Sequence, residues 1–161
     1  MIKPTRGDLL LARADALVNA VNTVGVMGKG IALRFKERFP ENYRAYAAAC
    51  RAGDVRVGKM FVTASVQLDG PRWIINFPTK EHWRHPAQLE WVRTGLAALA
   101  KVIHEMQIMS VAIPALGCGN GGLDWCQVRP LIEEALSGLM SVEVLLYEPA
   151  ENDCRMVGAN K

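Results

Sequence analysis

No apolar run in this sequence approaches the length of a membrane-spanning helix. The opening residues Met1-Ile2-Lys3-Pro4 lead into Arg6-Gly7-Asp8 instead of the apolar core of a secretion signal. Membrane and export readings are therefore set aside, and a cytoplasmic location is expected. Cysteine is also sparse. Cys50, Cys118, Cys126 and Cys154 form no C-x-x-C pair, so neither a zinc knuckle nor a disulfide framework is suggested, and reduced thiols are expected. A dominant charge sign is lacking. The net charge of +3 is weaker than a dedicated duplex-DNA binder would carry, though compatible with a ligand that bears phosphates. His82 and His85 lie three residues apart with no third ligand nearby, so no metal site is expected. His104 lies on or beside a helical stripe and reads as structural, as do Trp73 and Trp91.

What is present is an ordinary globular composition, half of it hydrophobic. A chain of 161 residues fits one domain that buries roughly two thirds of the surface exposed on unfolding. Ile2 to Pro4 reads as an edge strand, since Pro4 could not donate within a central one. The apolar run Ala16 to Val21 reads as a buried central strand. Ile31, Phe35 and Phe39 then recur every four residues on an amphipathic helix that Pro40 ends or kinks, and Tyr43, Tyr46, Ala47 and Cys50 continue the stripe.

Met60 to Ala64 and Trp73 to Phe77 read as strands joined by a turn near Asp69-Gly70-Pro71. A polar, aromatic-laced loop from Asn76 to Pro86 precedes a clear helix carrying Leu89, Val92, Leu96, Leu99, Ile103 and Met106. Val111 to Pro114 is the next strand, Asp124 can cap the helix that follows, Val142 to Tyr147 is the last strand, and residues beyond Pro149 read as an irregular tail. Strands alternate with helices. The fold class is therefore α/β, with a mostly parallel or mixed sheet and helices on both faces, in one domain.

Two glycine-rich loops each follow a buried strand and feed a helix. In Asn22-Thr23-Val24-Gly25-Val26-Met27-Gly28-Lys29-Gly30-Ile31-Ala32 the glycines let the backbone approach a ligand closely, and the next helix offers unpaired N–H groups. A Walker A site is rejected, because Thr23 stands where the first glycine is needed and Gly30 where Ser or Thr should bind magnesium. On this stretch alone, an anion cradle and a loop that merely turns the chain stay equally open. The second loop, Gly117-Cys118-Gly119-Asn120-Gly121-Gly122, satisfies G-x-G-x-x-G. A Rossmann site nevertheless fails, because a single strand follows it and Glu148 comes later than the expected acidic residue. The two loops can instead close around one diphosphate from opposite sides.

Asp8 after a glycine, the strand end Asn19-Ala20-Val21-Asn22, the first glycine loop, the second after Ile113-Pro114-Ala115-Leu116, and a last strand ending in Tyr147 together resemble the macrodomain, an ADP-ribose-binding family. The resemblance covers nearly the whole chain, residues 1–161, and implies a three-layer α/β/α sandwich. An alternative is that these residues are the N-terminal part of a longer antitoxin. Asn76-Phe77-Pro78-Thr79-Lys80 and the segment Thr79-Lys80-Glu81-His82-Trp83-Arg84-His85-Pro86 resemble the glycohydrolase branch, above all bacterial antitoxin members that remove ADP-ribose from thymine in single-stranded DNA.

The resemblance implies that Asp8 and Leu9 lie at the adenine, with Tyr147 near the adenosine. Gly28, Lys29, Gly30 and Ile31, facing Ala115, Leu116, Gly117, Cys118, Gly119, Asn120, Gly121 and Gly122, would hold the diphosphate. Asn22 would touch the distal ribose and Lys80 would be catalytic. Protein-directed relatives add an aspartate in the second loop; aligning on Trp125 puts Gly121 or Asn120 there, and Asp124 is the nearest carboxylate.

Trp83 reads either as a cap on the next helix or as a stacking platform for an unpaired base, with Arg84 on a phosphate and His85 beside it. No cofactor is expected. The implied partners are ADP-ribose, ADP-ribosylated single-stranded DNA and a DNA ADP-ribosyltransferase toxin, and the implied reaction is metal-independent hydrolysis. The competing readings are a non-catalytic ADP-ribose reader and a glycohydrolase acting on protein carboxylates. By residue type alone Lys80 would be a solvated charge and Asp8 an Asx-turn residue.

Overall fold

The computed structural model describes residues 1–150; the tail expected beyond Pro149 lies, from residue 151, outside the described residues. Six strands form one sheet: β1 (Ile2–Thr5), β2 (Ala16–Asn22), β3 (Phe61–Ala64), β4 (Trp73–Lys80), β5 (Ser110–Ile113) and β6 (Glu143–Tyr147). Their spatial order is β1-β6-β5-β2-β4-β3. All neighbours run parallel except β3 with β4, so the sheet is mixed and mostly parallel, as expected.

The helices α1 (Gly30–Arg38), α2 (Pro40–Arg51), α3 (Leu89–Glu105) and α4 (Trp125–Leu136) divide between the two faces. Strand periodicity decides which residue faces which layer. Ala16, Val18, Ile75, Phe77, Val111 and Ile113 pack against Val92, Leu96, Leu99 and Ile103 of α3 and Val128, Ile132 and Leu136 of α4. Their neighbours Leu17, Ile74 and Ala112 pack on the other face with Phe35 of α1 and Phe39. Val21 meets Tyr46 of α2 on that second face. Both faces of the central strands are thereby buried, which is why β2, β4 and β5 read as continuous apolar runs. The molecule is a three-layer α/β/α sandwich.

Pro40 splits what the sequence reads as one stripe. Phe39 leaves the helical region (φ −124°, ψ 67°), closing α1 and opening α2, where Pro40 takes the first turn and needs no N–H partner.

The end of β4 differs from the sequence reading, which closes the strand at Phe77. The strand runs on to Lys80, and Pro78 is tolerated because the register with β3 stops at Asn76, leaving Pro78 paired only with β2. A bulge follows: Val21 pairs with Pro78, but Asn22 pairs with Lys80, so Thr79 is an extra residue. The following loop is accordingly 81–88.

Close packing is most exacting where α3 crosses β4. A Cβ placed on Gly95 would lie 2.4 Å from Cζ of the fully buried Phe77 ring. We expect Gly95→Ala to lose ~3 kcal/mol by overpacking and recover ~1 kcal/mol of helix propensity. Denaturant unfolding should therefore show a net destabilisation of ~2 kcal/mol; a stabilised variant would contradict this packing.

Candidate functional site

Because β1, β2, β4, β5 and β6 are parallel, their carboxyl ends and the loops that leave them meet at one edge of the sheet. That edge is where open α/β sheets place their ligands. Every sequence-predicted site residue lies in a segment at or leaving this edge.

The loop after β2 is organised by the Asn22 side chain. Its Oδ1 accepts from the N–H groups of Val24 (3.1 Å) and Val26 (3.3 Å), and its Nδ2 donates to the Val26 carbonyl at 2.8 Å. The buried Tyr46 hydroxyl lies 2.7 Å from the Asn22 carbonyl and 3.0 Å from Oδ1. The amide thus clamps its own loop. Beyond the clamp, Gly28, Lys29 and Gly30 are exposed, and α1 has Lys29 at its N-cap position with no side-chain cap. Its first N–H groups are open to an anion.

The loop after β5 mirrors it. Inside, Cys118 donates its N–H to the Ala115 carbonyl at 3.1 Å and Leu123 to the Gly117 carbonyl at 2.9 Å. Gly117 has φ +73° and Gly122 φ +78°, a region that favours glycine. Gly121 is closed against any side chain, since a Cβ there would lie 2.5 Å from the Gly117 oxygen. Among the described residues, the N–H groups of Gly119 and Asn120 find no protein acceptor. The two loops face each other, for a Cβ on Gly30 would come 3.0 Å from Nδ2 of Asn120.

Leu9 and Leu116 are core side chains, so only their backbone can serve a ligand. Burial, and then the Asp124 carboxylate, push the Cys118 thiol up to about 12, which suits a packing residue and not a nucleophile. Asp124 caps α4, accepting from the Cys126 N–H at 2.9 Å.

Lys80 stands at the end of β4, beside the first of these loops and in register with Asn22. Its Nζ donates to the Trp83 carbonyl at 3.3 Å. Burial, and then the Lys29 charge from the first loop, hold the ammonium pKa below the ordinary lysine range. The 81–88 loop is tied to both glycine loops: Thr23 Oγ1 donates to the Glu81 carbonyl at 2.8 Å, and the Ala87 N–H donates to the Gly121 carbonyl at 3.0 Å.

Trp83 is 41% exposed, with the Arg84 guanidinium 4.6 Å from its ring centroid and the His82 ring stacked at 5.4 Å. His85 lies in the same turn, 5.1 Å from His82. Gln88 is the residue before α3, so Trp83 does not cap that helix. Of its two readings, the platform for a planar group remains.

At the far end of the edge, Asp8 opens a short 3-10 turn (Leu9–Leu11) and accepts from the Leu10 N–H at 3.0 Å. Its other oxygen pairs with Arg34 of α1. Tyr147 lies close by: burial, then the Asp8 carboxylate, raise its phenol pKa. Glu148, weighed above as a ribose-binding acid, is ion-paired to Arg129 (3.2 Å) and Arg6 (3.6 Å).

Two opposed glycine loops, a lysine beside the first of them and an acid–tyrosine pair toward the β1 end line the carboxyl edge of the sheet. The family model for the Macro domain matches residues 18–132. The chain belongs to the macrodomain family. This macrodomain is 55% identical, over 152 residues, to a Thermus aquaticus DNA ADP-ribosyl glycohydrolase, covering 94% of the chain but 42% of that relative. The chain thus spans about two fifths of the length of such curated relatives. It superposes with a TM-score of 0.92 on the solved macrodomain of Mycobacterium tuberculosis DarG, at 55% identity, covering 93% of this chain and 99% of that one. A third relative is a Thermosipho africanus fusion of DNA ADP-ribosyl transferase and DNA ADP-ribosyl glycohydrolase, 36% identical over 160 residues, covering 90% of this chain and 41% of the relative. A solved structure of Thermosipho africanus DarTG in complex with ADP-ribose matches with a TM-score of 0.85 at 34% identity, covering 92% of this chain and 42% of that one.

Sequence reasoning missed three participants in this macrodomain's site. Arg34 reads as a solvated charge but reaches Asp8 across the groove between α1 and the loop after β1. Tyr46 reads as core, and its hydroxyl is the only hint that it locks Asn22. Thr23 offers no pattern at all. Cys50 and Cys118 are free thiols, and Cys154 lies outside the described residues. No helix among the described residues is long and apolar enough to cross a membrane, and none of their His, Cys, Asp and Glu side chains form a group of three that could hold a metal ion.

The two lysines give a direct electrostatic test. Replacing Lys29 by Gln removes a positive charge that disfavours the Lys80 ammonium, so the Lys80 pKa should rise. A side-chain NMR titration should show Lys80 deprotonating at lower pH than exposed lysines and at higher pH in Lys29→Gln than in the unmodified protein. A downward or absent shift would mean that the two ammonium groups do not feel each other.

Proposed function

We propose that this macrodomain binds ADP-ribose along the carboxyl edge and hydrolyses the bond between ADP-ribose and thymine in single-stranded DNA, reversing a DNA ADP-ribosylating toxin. The observation that carries the reading is Lys80, set at the end of β4 beside Asn22 and the first of two opposed glycine loops, with an exposed Trp83–Arg84 pair three and four residues onward. In it the adenine sits by Asp8 and Tyr147, the diphosphate on Gly28 to Ile31 and Ala115 to Gly122, and the distal ribose beside Asn22 and Lys80. Relatives named for this activity support it. The fused transferase of another supports a cognate toxin as partner. That setting implies a cytoplasmic protein in which residues 1–161 form one domain of a longer antitoxin.

Cleavage of the glycosidic bond develops positive charge at C1″ of the ribose and negative charge on the departing base. An ammonium on the base side donates to a thymine carbonyl oxygen as the ring nitrogen leaves, and water completes the product at C1″. A lowered lysine pKa makes that donation easier. Asp124 is engaged as a helix cap, so Lys80 works without a second-loop carboxylate. A neighbouring unpaired base can stack on Trp83, with Arg84 on a phosphate.

Lys80→Ala should slow release of ADP-ribose from an oligonucleotide carrying one modified thymidine by roughly 10²–10⁴-fold. Calorimetric affinity for ADP-ribose should stay within a few-fold and exceed that for AMP, which lacks the second phosphate and the distal ribose. Normal turnover in the variant would leave a non-catalytic reader as the better description. Preference for ADP-ribosylated protein over DNA would redirect the substrate assignment, and equal affinity for ADP-ribose and AMP would remove the diphosphate cradle.

A further inference from the structure

The imidazole of His82 has no place in the reaction just described, yet its contacts converge on Lys80. Its Nδ1 accepts a hydrogen bond from the Arg84 N–H at 3.1 Å, and its carbonyl accepts from the His85 N–H at 3.1 Å. The Arg84 N–H and the Trp83 carbonyl belong to one peptide plane. In a trans peptide these two groups point in opposite directions, so fixing the N–H fixes the oxygen. That oxygen is the one that receives the Lys80 ammonium at 3.3 Å.

We propose that His82 is a positioning residue for Lys80, which acts by orienting the 83–84 peptide plane so that a carbonyl, and not an N–H, faces the ammonium. The claim rests on Lys80 being the reacting group of the proposed hydrolase. With the plane turned over, the ammonium would lose its acceptor and meet a donor, and among the described residues no other hydrogen bond would hold it at the end of β4. The acceptor role requires that Nδ1 carry no proton, which places the imidazole proton on Nε2. Stacking of the ring on Trp83 is a separate contribution, because it depends on the face of the imidazole and not on its nitrogen.

The bonding pattern identifies the substitutions that separate the two contributions. A side-chain acceptor two residues before the N–H it receives has the spacing of an Asx turn, which asparagine makes with its amide oxygen. Asn therefore restores the acceptor without the ring. Phe keeps a ring for stacking and has no acceptor, and Ala removes both.

The test measures kcat and KM on the modified oligonucleotide, ADP-ribose affinity, and hydrogen exchange at the Arg84 amide, for the unmodified protein and for His82→Ala, His82→Phe and His82→Asn. We expect kcat to fall about tenfold to a hundredfold in the Ala and Phe variants, with ADP-ribose affinity within about threefold, and Asn to recover most of the loss. Arg84 exchange should accelerate in Ala and Phe and stay slow in Asn. A Phe variant with normal kcat, an Asn variant no better than Ala, or a loss confined to KM would overturn the proposal. If the unmodified protein does not release ADP-ribose at all, the hydrolase reading fails on its own. The Arg84 exchange and the Lys80 side-chain titration in the same four proteins then decide the His82 claim: unchanged exchange and an unchanged Lys80 titration in His82→Ala overturn it.

Discussion

The site depends on how one buried amide is used. Asn22 ends β2, and its side chain takes in the two loop N–H groups that follow it, together with the Tyr46 hydroxyl. A loop that turned without such an internal partner would have to satisfy those groups with its own carbonyls, folding inward over the sheet edge. Because one side chain meets the demand, the rest of the loop is released, and Gly28, Lys29 and Gly30 lie exposed at the sheet edge. Tyr46 is what makes the clamp rigid: it is fully buried on α2, so the helix layer, and not the loop, decides where the amide sits.

Under this edge lies a second polar construction. Asn76 of β4 and Asn42 of α2 exchange side-chain hydrogen bonds at 2.8 and 3.1 Å, Thr63 of β3 donates to Asn42 at 2.6 Å, and Asn19 of β2 donates to Asn76 at 3.5 Å. Asn19 also approaches the sulfur of Met27, at the base of the first glycine loop. Buried amides stabilise only when their partners are satisfied, which makes them strict about the relative placement of the elements they join. Here they join three strands to α2, the same helix that carries Tyr46. Arrangement of the glycine loop is therefore set from below as well as from within.

The sequence carried the sheet and the loops plainly because their signals are local. Short apolar runs bounded by turn residues assigned β2, β4 and β5, glycine clusters marked both loops, and Asp124 announced the start of α4. Lys80 was legible by resemblance but misplaced by geometry: a proline two residues earlier reads as the end of a strand, and only the early stop of β3 explains why it is not. Arg34, Thr23 and His82 were illegible for a shared reason. Each acts across a gap of sequence or through the backbone of another residue, and neither relation leaves a periodic trace in residue types.

The bulge at Thr79 bears on how such a site can change over generations. Were β4 to pair with β2 without it, Thr79 would stand opposite Asn22, and the ammonium would be displaced by one position along a strand whose side chains alternate between faces. Loss or gain of a single codon in this stretch would therefore exchange a cation for a hydroxyl, or for the neighbouring Glu81 carboxylate, opposite Asn22. The layers beneath, held by residues up to Phe77, would be untouched. The side chain presented opposite Asn22 is thus changeable by insertion and deletion as readily as by substitution.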